Sequence, residues 1–237
     1  MRIADKKEFR NGALLGISFL VVLIIMFLPL FGGRNAFEAS DRLFNSIAKG
    51  STYYIPQVSK ENEEFIGEKI DVTITLDSAE MVRRASRLFF NAGATVTAEG
   101  DNNQLKVQGD LGKILQLTIQ HADTVFHNRG DELAAEYGYH QKEILYAWFK
   151  SRKAVNKSLT KQEKFKDAAW IEEVLKRTVE VSYNFFKIEP RSARSAAGIL
   201  SFSLIFYVVY TMWWGYAILF MFEGIGLQMK SGKKKEV

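Results

Sequence analysis

SAAGILSFSLIFYVVYTMWWGYAILFMF, residues 195–222, runs for 28 residues without a charge. As a helix rising 1.5 Å per residue it would extend roughly 42 Å, against a hydrocarbon core of about 30 Å. The stretch therefore reads as a transmembrane helix. Near the N-terminus a second uncharged block, Ala13 to Phe31, covers 19 residues. The chain reads as a membrane protein with two transmembrane helices, 13–32 and 195–222.

Charge is divided unevenly around these blocks. Arg2, Lys6, Lys7 and Arg10 outweigh Asp5 and Glu8 in the first tail, residues 1–12. Lys230, Lys233, Lys234 and Lys235 outweigh Glu236 in the last, residues 223–237. The segment between the blocks is close to balance, so the net +5 belongs mainly to the tails and is no mark of a nucleic-acid-binding domain. Short Lys/Arg-rich tails stay cytoplasmic, whereas long loops translocate largely regardless of charge. Both termini are expected in the cytoplasm and the central domain outside the inner (cytoplasmic) membrane. Lys187, Arg191 and Arg194 beside the second block pull against that orientation. The first block is longer than a signal-peptide core and runs into FLPLFGGRNAFEAS without a small-x-small site, so it reads as an uncleaved anchor. The absence of cysteine excludes disulfides, thiol nucleophiles and thiolate metal sites.

Residues 33–66 read as a helical and aromatic linker. NAFEASDRLFNSIAK (35–49) is helical, with Phe37, Phe44 and Ile47 on one face, and STYYIPQV and KENEEF come next as an aromatic turn and a polar connection. At Ile70, Val72, Ile74 and Leu76 strict alternation predicts a half-buried strand. Asp77 and Glu80 suggest a capping box opening a helix, with Met81, Ala85, Leu88 and Ala92 on its inner face and Gly93 as its stop. TVTAE and QLKVQG predict two strands joined by a GDNN hairpin loop. Asp110 is placed to cap a helix whose buried face is Leu115, Thr118, Ala122 and Val125. The order over 67–129 is β-α-β-β-α, an α+β unit that is ferredoxin-like in part. Residues 130–190 are expected to form a helical hairpin. Its first helix, 131–155, carries Leu133, Tyr137, Ile144 and Trp148. KSRKAVNKSLTKQEKFK then interrupts, and a second helix over 160–187 carries Ile171, Val174, Val181 and Phe185.

Sequence spacing brings no acid, base or nucleophile together. His121 and His127 lie six apart, about 120° around one helix, and His140 belongs to another. The adjacent pairs Glu63-Glu64, Asp131-Glu132 and Glu172-Glu173 do not face each other on a helix. No cofactor, metal ligand or catalytic residue is predicted. Candidate partner or headgroup contacts are Tyr53 and Tyr54, and the basic run Lys150, Arg152, Lys153, Lys157, Lys161 and Lys164, read as a solvated connection or a face for anionic lipid or an acidic partner.

Within the second block, Trp213 and Trp214 lie too near its midpoint for an interfacial belt. Either the span stops near Tyr216, or the indoles press on other helices. Ala197-x-x-x-Ser201 offers close helix approach, and Gly12-x-x-x-Gly16 offers it more weakly, at the membrane edge. Glu223 reads as a boundary residue. The expected partners are membrane lipids, other membrane subunits, or a second copy through the second span, with no nucleic acid. Two short tails and charge-free spans predict a non-catalytic anchored module, an accessory or scaffold subunit. The alternatives are an extracytoplasmic ligand-binding receptor subunit, which needs an output partner, and an outer-face enzyme, which no motif supports.

Overall fold

A computed structural model describes residues 3–99 and 103–227. Arg2, residues 100–102 of the GDNN loop and the lysine tail, including Lys230 and Lys233 to Lys235, lie outside the described residues. Backbone contacts divide the chain into two units: residues 1–44 with 193–237, and residues 45–192.

The first unit contains the two long apolar helices. α1 spans Lys6–Phe27, beginning inside the segment expected to be a tail because the Asp5 carboxylate accepts from the Lys7 and Glu8 amides. It stops before Pro29, which cannot continue a helix. Most of the second block forms the last of the ten α-helices among the described residues, spanning Ala197–Gly224 and called α10 below. Both helices are long and apolar enough to cross a membrane.

The second unit begins within α2 (Ala36–Ser51). α3 (Ile55–Glu61) comes next, with Pro56 in its first turn, where a missing amide is harmless. A single 3-10 turn, Asn62–Phe65, leads to the sheet. KENEEF, expected to be a polar connection, is anchored by the buried Asn62 and Phe65, and Ile55 and Val58 before it are buried too.

β1 (Lys69–Thr75) alternates as expected, with Ile70, Val72, Ile74 and Leu76 buried. α4 (Ala79–Asn91) is capped by Ser78, whose hydroxyl accepts from the Met81 amide, rather than by Asp77. Asp77 is engaged elsewhere, by Lys150 at 2.6 Å. β2 (Thr95–Glu99) and β3 (Gln104–Asp110) complete a three-stranded antiparallel sheet in the order β1-β3-β2. Leu105 and Val107 join the β1 side chains on the helix-covered face. On the other face Gln108 donates to Asp71 at 2.6 Å. α5 (Leu111–Phe126) is capped by Asp110, which accepts from Lys113 N at 3.1 Å and from Gly67 N at 2.8 Å.

The helical part differs from the predicted hairpin in three ways. The first helix is two, α6 (Gly130–Tyr137) and α7 (Gln141–Lys161), because Gly138 takes φ +80° and ends the first, while the His140 ring caps the second. The basic run is not a connection: α7 continues through it to Lys161, and only Gln162 to Lys164 make the turn, with Glu163 at φ +62°. The last helix is α8 (Phe165–Val174), a π-turn over Leu175–Val179, then α9 (Glu180–Asn184). A π-turn inserts extra backbone and rotates the helix beyond it. The buried residues are Ile171, Val174, Leu175, Thr178, Val179 and Ser182, one stripe stepping by three and four, and Val181 and Phe185 are only half-buried.

One apolar cluster joins the sheet to α3–α8, with Phe89, Ile114, Leu115, Ile144, Trp148 and Ile171 at its centre. The segment after α9 is stapled to the end of α2. Lys49, fully buried, donates to Ile188 O at 2.6 Å and Asn128 Oδ1 at 3.3 Å, and Arg191 N donates to Ser46 O at 2.9 Å. Burial pushes the Lys49 ammonium down, offset by the nearby Glu189 carboxylate.

Candidate functional site

Among the described residues, the side chains singled out in the sequence separate into an aromatic seam between α1 and α10 and a basic face on α7.

The seam forms around Phe19. Its ring stacks on Tyr210 at 4.2 Å, tilts against Trp214 at 4.7 Å and meets Trp213 edge-on at 6.3 Å. The Trp213 indole also donates to the Leu15 carbonyl at 3.1 Å. The central indoles thus press on a helix of the same chain, and α10 continues unbroken past Tyr216 to Gly224. The approach is closest where side chains vanish. A Cβ on Gly12 would lie 2.5 Å from Met221 N, and one on Gly224 2.5 Å from Phe9 N. The Gly12-x-x-x-Gly16 spacing, the weaker of the two in sequence, therefore lies at the contact. Ala197 and Ser201 are exposed and take no part in it. Glu223 is exposed on the last turn of α10. The amides of Ala4 and Asp5 donate to Gly224 O at 2.8 and 3.0 Å, so both ends of the pair emerge together.

Tyr53 and Tyr54 brace the turn between α2 and α3. The Tyr53 hydroxyl donates to Asp123 Oδ1 at 2.9 Å and its ring lies 4.9 Å from Phe126. Burial, then the Asp123 bond, pushes this phenol up to about 12. The Arg177 guanidinium sits 5.4 Å over the Tyr54 ring. Beside them Tyr53, Pro56, Ser59, Gln116 and Asp123 line a recess of about 180 Å³. That is below the range of roughly 300–1,000 Å³ typical of ligand pockets.

The basic run is only partly a free charged face. Lys150 pairs with Asp77 at 2.6 Å, and that hydrogen bond raises its pKa. Lys153 pairs with Glu172 at 2.8 Å and holds that carboxyl below its usual range. Lys164 reaches Glu68 at 3.2 Å and Lys69 O at 3.0 Å. Lys157 and Lys161 are exposed, with no ion pair among the described residues.

Arg152 departs from the expectation altogether. It has 0% exposure, so it offers no charge to a headgroup or partner. Its guanidinium lies 4.1 Å from the Phe89 ring and 4.6 Å from that of Trp148, and Nε and both Nη atoms lack hydrogen-bond partners among the described residues. The signal was present in the spacing: Ile144, Trp148 and Arg152 step by four, placing Arg152 on the inner stripe. Residue type, a charge inside a basic run, argued the other way.

The histidines do not converge. His121 is buried and accepts from Trp148 Nε1 at 2.9 Å, which leaves its proton on Nε2. Burial pushes its pKa down to about 4. His127 is exposed beside Asp123 at 3.2 Å, and His140 caps α7. Among the described residues no group of three or more His, Asp or Glu is placed to hold a metal. Asn62, inside the segment read as polar linker, is a buried hub. It donates to Gly112 O at 2.8 Å and accepts from Trp170 Nε1 at 3.0 Å. Nothing in its neighbourhood in sequence marks it.

Between α7 and α9 runs a groove of about 370 Å³, lined by Leu145, Tyr146, Phe149, Val179, Glu180, Tyr183 and Asn184. Sequence spacing alone pairs none of the α7 residues with those on α9. Comparison with protein families, with curated proteins and with solved structures finds no match.

Proposed function

We propose that the chain is a non-catalytic, two-pass module of the inner membrane. In this reading α1 and α10 anchor it, both termini face the cytoplasm, and residues 45–192 are held outside as an interaction domain for a larger membrane complex. One observation carries it. α1 and α10 bury little but Gly12, Gly16 and Phe19 on one helix and Ala217 and Gly224 on the other, while Leu14, Ile17, Phe202, Ile205, Tyr207 and Val208 remain exposed. Such a surface is costly in water and suited to lipid or to neighbouring helices. The shared end of the pair supports an even number of crossings, and the lysines and arginines of both tails support the cytoplasmic side.

The test uses the chain's lack of cysteine. A single Lys157→Cys substitution should react with a membrane-impermeant maleimide from the outer face of intact cells. Purification in mild detergent should bring down stoichiometric membrane subunits. Release of the chain by alkaline carbonate, or labelling only after the cells are opened, would defeat the proposal.

A further inference from the structure

The α7–α9 groove belongs to a longer surface. Lys142, Tyr146, Lys150, Lys153, Lys157 and Lys161 succeed one another on α7 at steps of four, four, three, four and four. They therefore share one helical face, roughly 28 Å long. At one end the Lys142 ammonium lies 4.2 Å over the Tyr183 ring, bridging from α7 to α9. Lys153 lies 5.6 Å over Phe149. Val179, the last residue of the π-turn Leu175–Val179, forms the second wall with Glu180 and Tyr183. Such turns recur at functional sites.

We propose that this face of α7 docks an acidic segment of a partner protein. A large apolar side chain of that segment sits between Tyr146 and Tyr183, and its carboxylates lie along Lys157 and Lys161. The shape favours a polypeptide over a bilayer, because the rings line a concave groove that a flat headgroup surface does not enter. The charges favour it too. Asp77 and Glu172 already hold Lys150 and Lys153, and the Lys142 ammonium at the groove lies over the Tyr183 ring, so the exposed lysines without an ion pair, Lys157 and Lys161, stand about 12–18 Å along the helix from the groove. Glu180 on the groove wall repels a carboxylate there, so the anchor and the acidic residues of a bound segment are separated and its direction is set. Glu180 and Asn184 can bond to its backbone amides.

This assignment rests on the interaction-module reading, and its experiment is separable from it. The full chain is placed in zwitterionic nanodiscs and titrated with a labelled twelve-residue peptide carrying one tryptophan and then a run of glutamates. A second peptide has glycine in place of tryptophan. The tryptophan peptide should bind, weakening with salt, and the glycine peptide should lose about tenfold or more in affinity. Lys157→Glu with Lys161→Glu, a surface change, and Tyr183→Ala should each cost a similar factor. Equal binding of the two peptides, or no loss in the lysine variant, would overturn the proposal. So would a benzoylphenylalanine at position 146 that cross-links to phosphatidylserine in anionic nanodiscs rather than to the peptide, or a dimer of the chain that Tyr183→Ala dissolves. Stoichiometric co-purifying subunits with no peptide binding sink the docking face alone. Peptide binding without such subunits sinks the scaffold role alone.

Discussion

Arg152→Met should make the protein more stable, although it removes a large side chain from the core. The guanidinium is fully buried, its three nitrogens lack partners among the described residues, and burial alone drives its pKa downward, with no carboxylate contributing. A guanidinium nevertheless stays protonated in proteins, so the fold carries an uncompensated charge. The effective penalty for such an ion is several kcal/mol. The rings of Phe89 and Trp148, at 4.1 and 4.6 Å, offset part of it, at about 2 kcal/mol for each desolvated contact. Methionine fills much of the same volume, needs no partner and keeps a favourable sulfur–ring contact of about 0.3–1.5 kcal/mol. The expected net gain is about 2 kcal/mol, which for a unit of this size raises the melting midpoint by roughly 4–8 °C. Arg152→Ala should do the reverse, since the space left by the stem becomes a cavity. The assay is thermal unfolding of the full chain in mild detergent, monitored by circular dichroism. If Arg152→Met lowers the midpoint by several degrees, the guanidinium meets a counter-charge in the folded protein and the uncompensated-charge account is wrong.

His121 titrates at about 4 in the fold against 6.5 when free. Between those values the unfolded chain binds a proton that the folded chain does not, so stability should fall as pH drops from 6.5 toward 4, by roughly 3 kcal/mol in all, and level off below. His121→Gln, which keeps an acceptor for Trp148, should be less steep across that window in paired melts, and an unchanged slope would clear His121 of the effect. Asn62→Leu strands the Trp170 indole and the Gly112 carbonyl and should cost roughly 2–3 kcal/mol, read from urea unfolding by tryptophan emission; a loss under about 0.5 kcal/mol would mean water replaces the side chain. Gly12→Val should prise α1 from α10. In the cysteine-free chain, Ala4→Cys with Ile225→Cys bridged by a short bis-maleimide reports this pairing, and the bridged yield should fall several-fold when Gly12→Val is added.

Residue order was enough for several features set by neighbours along the chain. The two long apolar helices arise from uncharged runs, β1 from its alternation at Ile70, Val72, Ile74 and Leu76, and the start of α5 from the Asp110 carboxylate meeting amides one turn on. Each is a local interaction with a fixed period or a short reach, which a linear pattern can express. Packing between elements chose among several compatible local patterns. Gly12 and Gly16 met α10 while Ala197 and Ser201 stayed exposed, although both spacings permit close approach. Arg152 kept to the helical stripe and entered the core while Lys157 and Lys161 stayed outside, because burial depends on what lies across from the helix and not on the charge of its neighbours. The Tyr146–Tyr183 groove joins residues about 40 positions apart, on two helices that only tertiary packing sets side by side.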